Sequence, residues 1–428
     1  DRSPGLTVAS GTGPRGAALD ILRAVRTGET FDRALDDSIT ELSDADRKLA
    51  HEIAAGVLRQ RLGLDRRITA ALTQPKKPLP EDLRDVLRIG AYQLSHLDRV
   101  PSYAAVQSSV DLAKAACGTR FAPLVNAVLR KVSERPDAET VAGPPTPENL
   151  AERFSHPTWL VQRWLENYGV EKTEHLLRHN NSRPSLVIQP ALWAVEKLAG
   201  ALHAADIHHA PHASGFGFTI TDTKVEALPG YREGGFIVQD PAQRRLLDFV
   251  TESSMSTRAW DACAAPGGKA ISLSRSCSVL ASDWSLRRLG RLRENLERAA
   301  PNVRQLAADA RHPPFAIETM DLVLVDAPCS ATGTMARHPD ARWRLEESQI
   351  HVLAHRQGEI LAGVAPIVKT GAVLGYLTCS LEPEENERQV NRFLEQHPNY
   401  RRDDPDLVLL PGANAGDGGF AARLRRAA

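Results

Sequence analysis

Leucines and alanines recur at spacings of three and four between charged positions along residues 14–130. That is the repeat of helices which each bury one face. It predicts helices over residues 17–27, 31–39, 44–59, 80–94, 102–114 and 121–132, assembled as an all-α bundle over 14–134. Ser43 stands where it caps the third helix, and Pro101 precedes the start of the fifth. Tyr92, Gln93 and His96, near a helix end, are expected on a polar face. Proline-rich residues 135–146, with Pro144 and Pro145, predict a linker. A helical segment follows from 147 to about 181, with Trp159, Leu160, Val161 and Trp164 as its packing face. Strand-like fragments then alternate with His203, His208, His209 and His212, so residues 147–234 predict a small mixed α/β subdomain. The histidines lack ligand spacing with carboxylates, and a solvated loop is expected rather than a metal site.

From residue 235 the period changes. Asp240 and Pro241 open a helix, as cap and first-turn residue. Short apolar runs then alternate with amphipathic segments, the pattern of an α/β domain over 235–428. The runs predict strands over 259–263, 279–282, 303–307, 322–325, 372–377 and 407–410. The segments between them predict helices over 268–274, 285–299, 347–367 and 384–396. The final run, 418–424, is expected to return beside 407–410 as a hairpin.

The chain has 428 residues, and its 53 basic and 53 acidic side chains cancel, which does not advertise a nucleic-acid binder. The basic residues are patchy all the same. Arg287, Arg288, Arg291, Arg293 and Arg298 read as a solvated helix face. Arg337, His338, Arg342 and Arg344 are placed by the sequence for a phosphate contact. Five cysteines, scattered and without zinc spacing, predict a reduced cytoplasmic protein with no metal. No apolar run reaches membrane-spanning length and no secretory leader is visible, so no membrane association is expected. Residues 1–13 read as a flexible lead.

The chemistry centres on Arg258 to Lys269, RAWDACAAPGGK. A strand ends at Asp261 and a Gly-Gly turn opens a helix, as where a parallel sheet forms a nucleotide crevice. Glycine lets the backbone approach a ligand closely. The second strand runs to Asp283, and Asp309 follows the third. An acid after strand two suits a ribose diol, and one after strand three can accept an adenine amino group. Each aspartate taken singly is also an ordinary cap. G-x-G-x-x-G is absent, which disfavours a dinucleotide. Two cysteine motifs, Asp326-Ala327-Pro328-Cys329 and Thr378-Cys379-Ser380, each follow an apolar run. Such thiols serve either covalent catalysis or, buried and inert, packing.

The run RIGAYQLSHLDRVPSYAAVQSSVDLAK, followed by FAPLVNAVLRKV, resembles the NusB-like RNA-binding domain. Cys263-Ala264-Ala265-Pro266-Gly267-Gly268-Lys269, with the two cysteine motifs, resembles the RNA cytosine-5 methyltransferases of the Nop2/Sun group. The resemblance implies an N-terminal all-α NusB-like bundle, a small α+β RNA-side subdomain and a C-terminal Rossmann-like class I methyltransferase domain. It implies S-adenosylmethionine as cofactor, its methionine part embraced by Cys263 to Lys269, its ribose on Asp283 and its adenine end on Asp309. Arg288 is implied as a neighbour of the cofactor, and Asp326 as a neighbour of both cofactor and base. Cytosine C5 is a poor nucleophile until a thiolate adds at C6. The resemblance gives that attack to Cys379, product release to Cys329, stabilisation at N3 to Asp326 and an orienting role to Lys269. With a NusB-like bundle in front, it implies 16S ribosomal RNA as substrate, unassembled or partly assembled, and a monomer without an obligate protein partner.

Two other readings stay open. In DNA cytosine methyltransferases the proline-cysteine motif supplies the nucleophile, which would promote Cys329; Thr378-Cys379-Ser380 argues against this. A non-catalytic RNA-binding assembly factor of the same fold is opposed by the intact Lys269, Asp326, Cys329 and Cys379. The chain also departs from the family pattern. Arg183-Pro184-Ser185 replaces an Arg-Val-Asn segment, and Asp417-Gly418-Gly419-Phe420 lacks one aromatic, a loss expected to soften packing.

Overall fold

The computed structural model describes residues 13–134, 143–221, 223–252, 257–412 and 415–427. Of the expected lead over 1–13, residues 1–12 lie outside the described residues, as do 135–142 of the expected linker over 135–146; Gly13 already opens the first helix. The chain forms two compact units, one through Ser182 with Met335–Leu345 added, the other Arg183–Thr334 with Glu346–Ala428.

The first unit is helical: α1 (Gly13–Arg26), α2 (Phe31–Ser38), α3 (Asp44–Arg59), α4 (Arg61–Ala71), α5 (Glu81–His96), α6 (Ser102–Ala116), α7 (Ala122–Glu134), α8 (Pro147–Phe154) and α9 (Thr158–Asn180). Ile21, Ile53, Leu83, Leu87, Ile89 and Leu129 are buried in its core. The Ser43 side chain caps α3 by accepting from the Asp46 N–H. The periodicity missed α4, which only Gln60 separates from α3. Tyr92 and Gln93 are not on a polar face but buried. The Tyr92 ring lies so near Gly56 that a β-carbon there would fall 1.9 Å from it. Its hydroxyl donates to Glu52 at 2.6 Å, so the polar end is satisfied inside the bundle. The expected helical segment over 147–181 is broken at Ser155, whose left-handed backbone (φ 58°) ends α8, and α9 is itself kinked at Gly169 (φ 75°). Leu160, Val161 and Trp164 are buried as expected, while Trp159 is only half-buried.

The second unit starts with a four-stranded antiparallel sheet in the order β2-β3-β1-β4, made of β1 (Leu186–Pro190), β2 (His209–Pro211), β3 (Phe218–Ile220) and β4 (Phe236–Val238). With α10 (Val195–Ala204) it buries Ile188, Leu198, Leu202 and Phe236. His209 lies in β2 and His203 in α10, and no metal-holding cluster exists among the described residues.

The large sheet follows. Its elements are α11 (Pro241–Thr251), β5 (Arg258–Asp261), α12 (Gly268–Leu273), β6 (Ser278–Asp283), α13 (Leu286–Ala299), β7 (Arg304–Ala307), β8 (Met320–Asp326), α14 (Ala341–Arg344), α15 (Glu347–Val364), β9 (Val368–Thr378), α16 (Glu387–Gln396), β10 (Tyr400–Arg402), β11 (Leu407–Leu409) and β12 (Gly419–Arg426). Of these, α14 belongs to the first unit. The strand order is β10-β12-β9-β8-β5-β6-β7, with β11 on β12. Strands β7, β6, β5, β8 and β9 are parallel, while β12 is antiparallel to β9, β10 and β11. This is a Rossmann-like sheet, as expected from the sequence. The hairpin of β11 with β12 is present, but β12 also closes the sheet against β9, and β10 is a strand the apolar pattern did not predict. The order reverses between β5 and β8, so the crevice opens at the carboxyl ends of those two strands.

Candidate functional site

Strand β5 ends at Asp261 and β8 at Asp326, on either side of the crevice. The loop after β5 turns through Gly267, at φ 113°, a left-handed backbone that favours glycine. A β-carbon at Gly267 would press to 2.9 Å on Leu292, so the loop lies tight on α13. Arg288 reaches back from α13, donating to the Ala265 carbonyl at 2.8 Å.

Asp283 ends β6 and is 1% exposed. One carboxylate oxygen accepts from the Ser285 N–H at 3.0 Å. The other has no hydrogen bond; the Arg288 guanidinium, 3.4 Å away, gives it an ion pair without hydrogen-bond geometry. Asp309, two residues beyond β7, is gripped by Arg311 through both oxygens, and that grip holds its pKa below the usual carboxylate value. Asp261 is fully buried, and neither of its oxygens has a hydrogen bond of good geometry. Burial, then the Asp326 charge, pushes its pKa up to about 7, against the opposing pull of Lys269 and the Cys263 N–H.

Lys269, on α12, donates to Asp326 at 2.6 Å and to Gln243 at 2.6 Å. Gln243 on α11 thus fixes the lysine that fixes the aspartate, a part not foreseen from the motifs. Cys329 and Cys379 meet at the ends of β8 and β9, their sulfurs 3.2 Å apart. The contact with Cys379, then burial, raises the Cys329 pKa well above a free thiol, and the nearby Glu385 adds to this. Burial, then the charges of Asp261, Asp283 and Asp326, also raises the Cys263 pKa. The arrangement thus offers two sulfurs in contact and a lysine-held carboxylate at neighbouring strand ends.

The basic group after the Cys329 motif does not form an exposed phosphate site. Arg342 is fully buried within the first unit, donating to Asn181 Oδ1 at 2.7 Å and to the carbonyls of Asn180 and Ser155. Burial, then Arg59, lowers its pKa to about 9. Arg344 pairs with Asp340 at 2.7 Å and His338 lies 3.5 Å from Asp32. The spacing of charges is the same for a surface patch and a buried staple; only packing separates them. Nor does Gly419 leave a gap. A β-carbon there would stand 2.6 Å from the Thr378 carbonyl, so glycine lets β12 close on β9, the strand that ends just before Cys379.

Residues 250–425 match the family described as 16S rRNA methyltransferase RsmB/F, residues 12–134 the NusB family and residues 156–221 the RsmF/B-like ferredoxin-like domain. The ribosomal RNA small subunit methyltransferase B of Vibrio cholerae is 34% identical over 424 residues, 96% of each chain. The chain belongs to the ribosomal RNA small subunit methyltransferase B family. A probable family member from Synechocystis is 31% identical, covering 96% of this chain and 99% of its own. In fold, the crystal structure of PH0851 covers 99% of this chain and all of its own at TM-score 0.79 and 24% identity. A methyltransferase homologue from Pyrococcus horikoshii covers 66% of this chain and all of its own at TM-score 0.57 and 20% identity.

Proposed function

We propose that this chain methylates C5 of a specific cytosine in 16S ribosomal RNA, through a covalent bond between Cys379 and C6 of the base. The observation that carries this reading is the contact of the Cys329 and Cys379 sulfurs, 3.2 Å apart at adjacent strand ends. A packing pair of inert thiols would not need the Lys269–Asp326 ion pair at the end of the same β8 strand.

S-adenosylmethionine, when bound, supplies an electrophilic methyl group. The residues present fit it. The buried Asp283 keeps an oxygen without a hydrogen bond, as a ribose diol requires, and the tight Gly267 turn leaves the loop backbone bare of a side chain. Cys263, Ala264, Ala265, Pro266, Gly267, Gly268 and Lys269 would hold the methionine part, with Arg288 bracing the loop. Asp309 would receive the adenine end, with Arg311, which holds both its oxygens, giving way to the amino group.

In this reading the Cys379 thiolate forms the S–C6 bond as the C5–C6 π bond breaks, which makes C5 an enamine-like nucleophile. Asp326 hydrogen-bonds at N3 and favours the N3-protonated adduct, and Lys269 keeps it in place. Once C5 is methylated, a base removes the C5 proton, the S–C6 bond breaks and its electrons return to sulfur. Cys329, held as a thiol, donates a proton to the departing Cys379 sulfur. The helical bundle over 14–134 and the subdomain over 147–234 would present RNA, unassembled or partly assembled, to the domain over 235–428. The protein would act in the cytoplasm as a monomer, without membrane or obligate protein partner. Bisulfite sequencing of 16S RNA from a deletion strain and its complemented parent tests the substrate. One cytosine should lose and regain its mark; an unchanged pattern would sink the assignment.

A further inference from the structure

Glu385 is fully buried in the turn between Cys379 and α16. In sequence it belongs to an acidic run, Glu382-Pro383-Glu384-Glu385, that reads as surface. Its carboxylate instead collects four donors. Oε1 accepts from the Ser330 N–H at 2.9 Å and from Gln357 Nε2 at 3.0 Å. Oε2 accepts from the Ser330 and Ser380 hydroxyls, each at 2.5 Å. Ser330 directly follows Cys329, and Ser380 directly follows Cys379. Gln357 also donates to the Pro328 carbonyl at 3.0 Å, so the Cys329 loop is held on both sides of the cysteine. Tyr376 donates its hydroxyl to the Glu385 carbonyl at 2.6 Å and so anchors the turn to β9. Burying a carboxylate is costly unless donors surround it, and nothing in packing alone asks for one here.

We infer that Glu385 is a positioning residue for the two-cysteine chemistry: it ties the backbone after Cys329 to the side chain after Cys379 and so sets the distance between the two sulfurs. This rests on the reading above, in which one sulfur must hand a proton to the other. A glutamine has the same shape but no charge, and its NH2 can only donate to the Ser330 and Ser380 hydroxyls, so the two short charge-assisted bonds at Oε2 are lost. The common anchor of the two loops is then weakened.

The test reads geometry and turnover separately. Diamide takes two electrons and two protons from a pair of thiols, breaking two S–H bonds and forming S–S, while it is itself reduced to the hydrazine. In the full chain, mass spectrometry should show the Cys329–Cys379 disulfide forming rapidly. In Glu385→Gln it should form at least about tenfold more slowly. The kcat should fall by roughly a hundredfold with KM for RNA and S-adenosylmethionine unchanged, the mark of lost alignment rather than lost binding. Should Glu385→Gln not fold, Ser330→Ala and Ser380→Ala each remove one arm and should each slow the crosslink. Unchanged crosslinking in all the soluble variants would overturn the inference. Rapid crosslinking in a wild-type protein that does not methylate RNA would instead overturn the functional reading and leave the role of Glu385 in the geometry standing.

Discussion

Cys329 and Cys379 lie on the ends of neighbouring parallel strands, and their sulfurs touch at 3.2 Å. A shared position does not mean a shared role, because attack precedes methyl transfer and elimination follows it. Cys379→Ala should bind RNA and cofactor but form no protein–RNA adduct. Cys329→Ala should attack and transfer the methyl group, then keep the product covalently attached. A denaturing gel with labelled RNA and S-adenosylmethionine separates them. An adduct in Cys379→Ala and none in Cys329→Ala would reverse the roles and restore the scheme of the DNA enzymes.

Asp283 should matter for binding and not for attack. Its carboxylate, 1% exposed, keeps one oxygen without a hydrogen bond. Removing it leaves the ribose hydroxyls unpaired, at a cost of roughly 1–3 kcal/mol, or about five- to 150-fold in Kd. Calorimetric titration of Asp283→Ala with S-adenosylmethionine should show that weakening, while Cys379→Ala binds as wild type does. Equal Kd values for Asp283→Ala and wild type would reject the ribose role.

Arg342→Ala should lower stability, because it strips a buried donor from Asn181 and from the carbonyls of Asn180 and Ser155. Each unpaired buried acceptor costs about 1–3 kcal/mol, so a loss on the order of 3 kcal/mol is expected. Scanning calorimetry should show a lower Tm, with S-adenosylmethionine binding unchanged below the transition. A normal Tm combined with weaker, less salt-sensitive RNA binding would return Arg342 to the phosphate role its neighbours in sequence suggested.

Much of this molecule was legible because its chemistry is written in contiguous motifs. Strand, Gly-Gly turn and helix follow one another around Lys269, and each cysteine motif sits at the end of an apolar run. What stayed hidden depends on the third dimension. Glu385 looks like one more surface acid until Ser330, Ser380 and Gln357 are brought around it. Gln243 meets Lys269 across 26 residues of chain, a pairing no local pattern encodes. Tyr92 was placed on a polar face because its hydroxyl was counted and its ring was not; Gly56, 36 positions earlier, makes room for that ring. Helix α4 was missed because its apolar positions, Leu64, Ile68 and Ala71, are sparse between arginines.

Asp261 should make stability depend on pH. Its carboxyl is raised from 3.8 to about 7, first by burial and then by the Asp326 charge; Asp283 adds to this, and Lys269 and the Cys263 N–H oppose it. The folded chain therefore keeps a proton between those values that the unfolded chain releases. Stability from this group is full below about pH 4 and declines as pH rises toward 7. The ceiling on the decline is about 4 kcal/mol, from roughly three units at 1.36 kcal/mol each. Asp261→Asn cannot titrate, so the Tm of the variant relative to wild type should rise from pH 5 to about pH 7 and level off by pH 8. Asp326→Asn, which removes the second cause, should flatten the wild-type slope in part. A Tm difference between Asp261→Asn and wild type that stays constant across that range would show that Asp261 is ionised throughout and is stabilised by donors these contacts do not include.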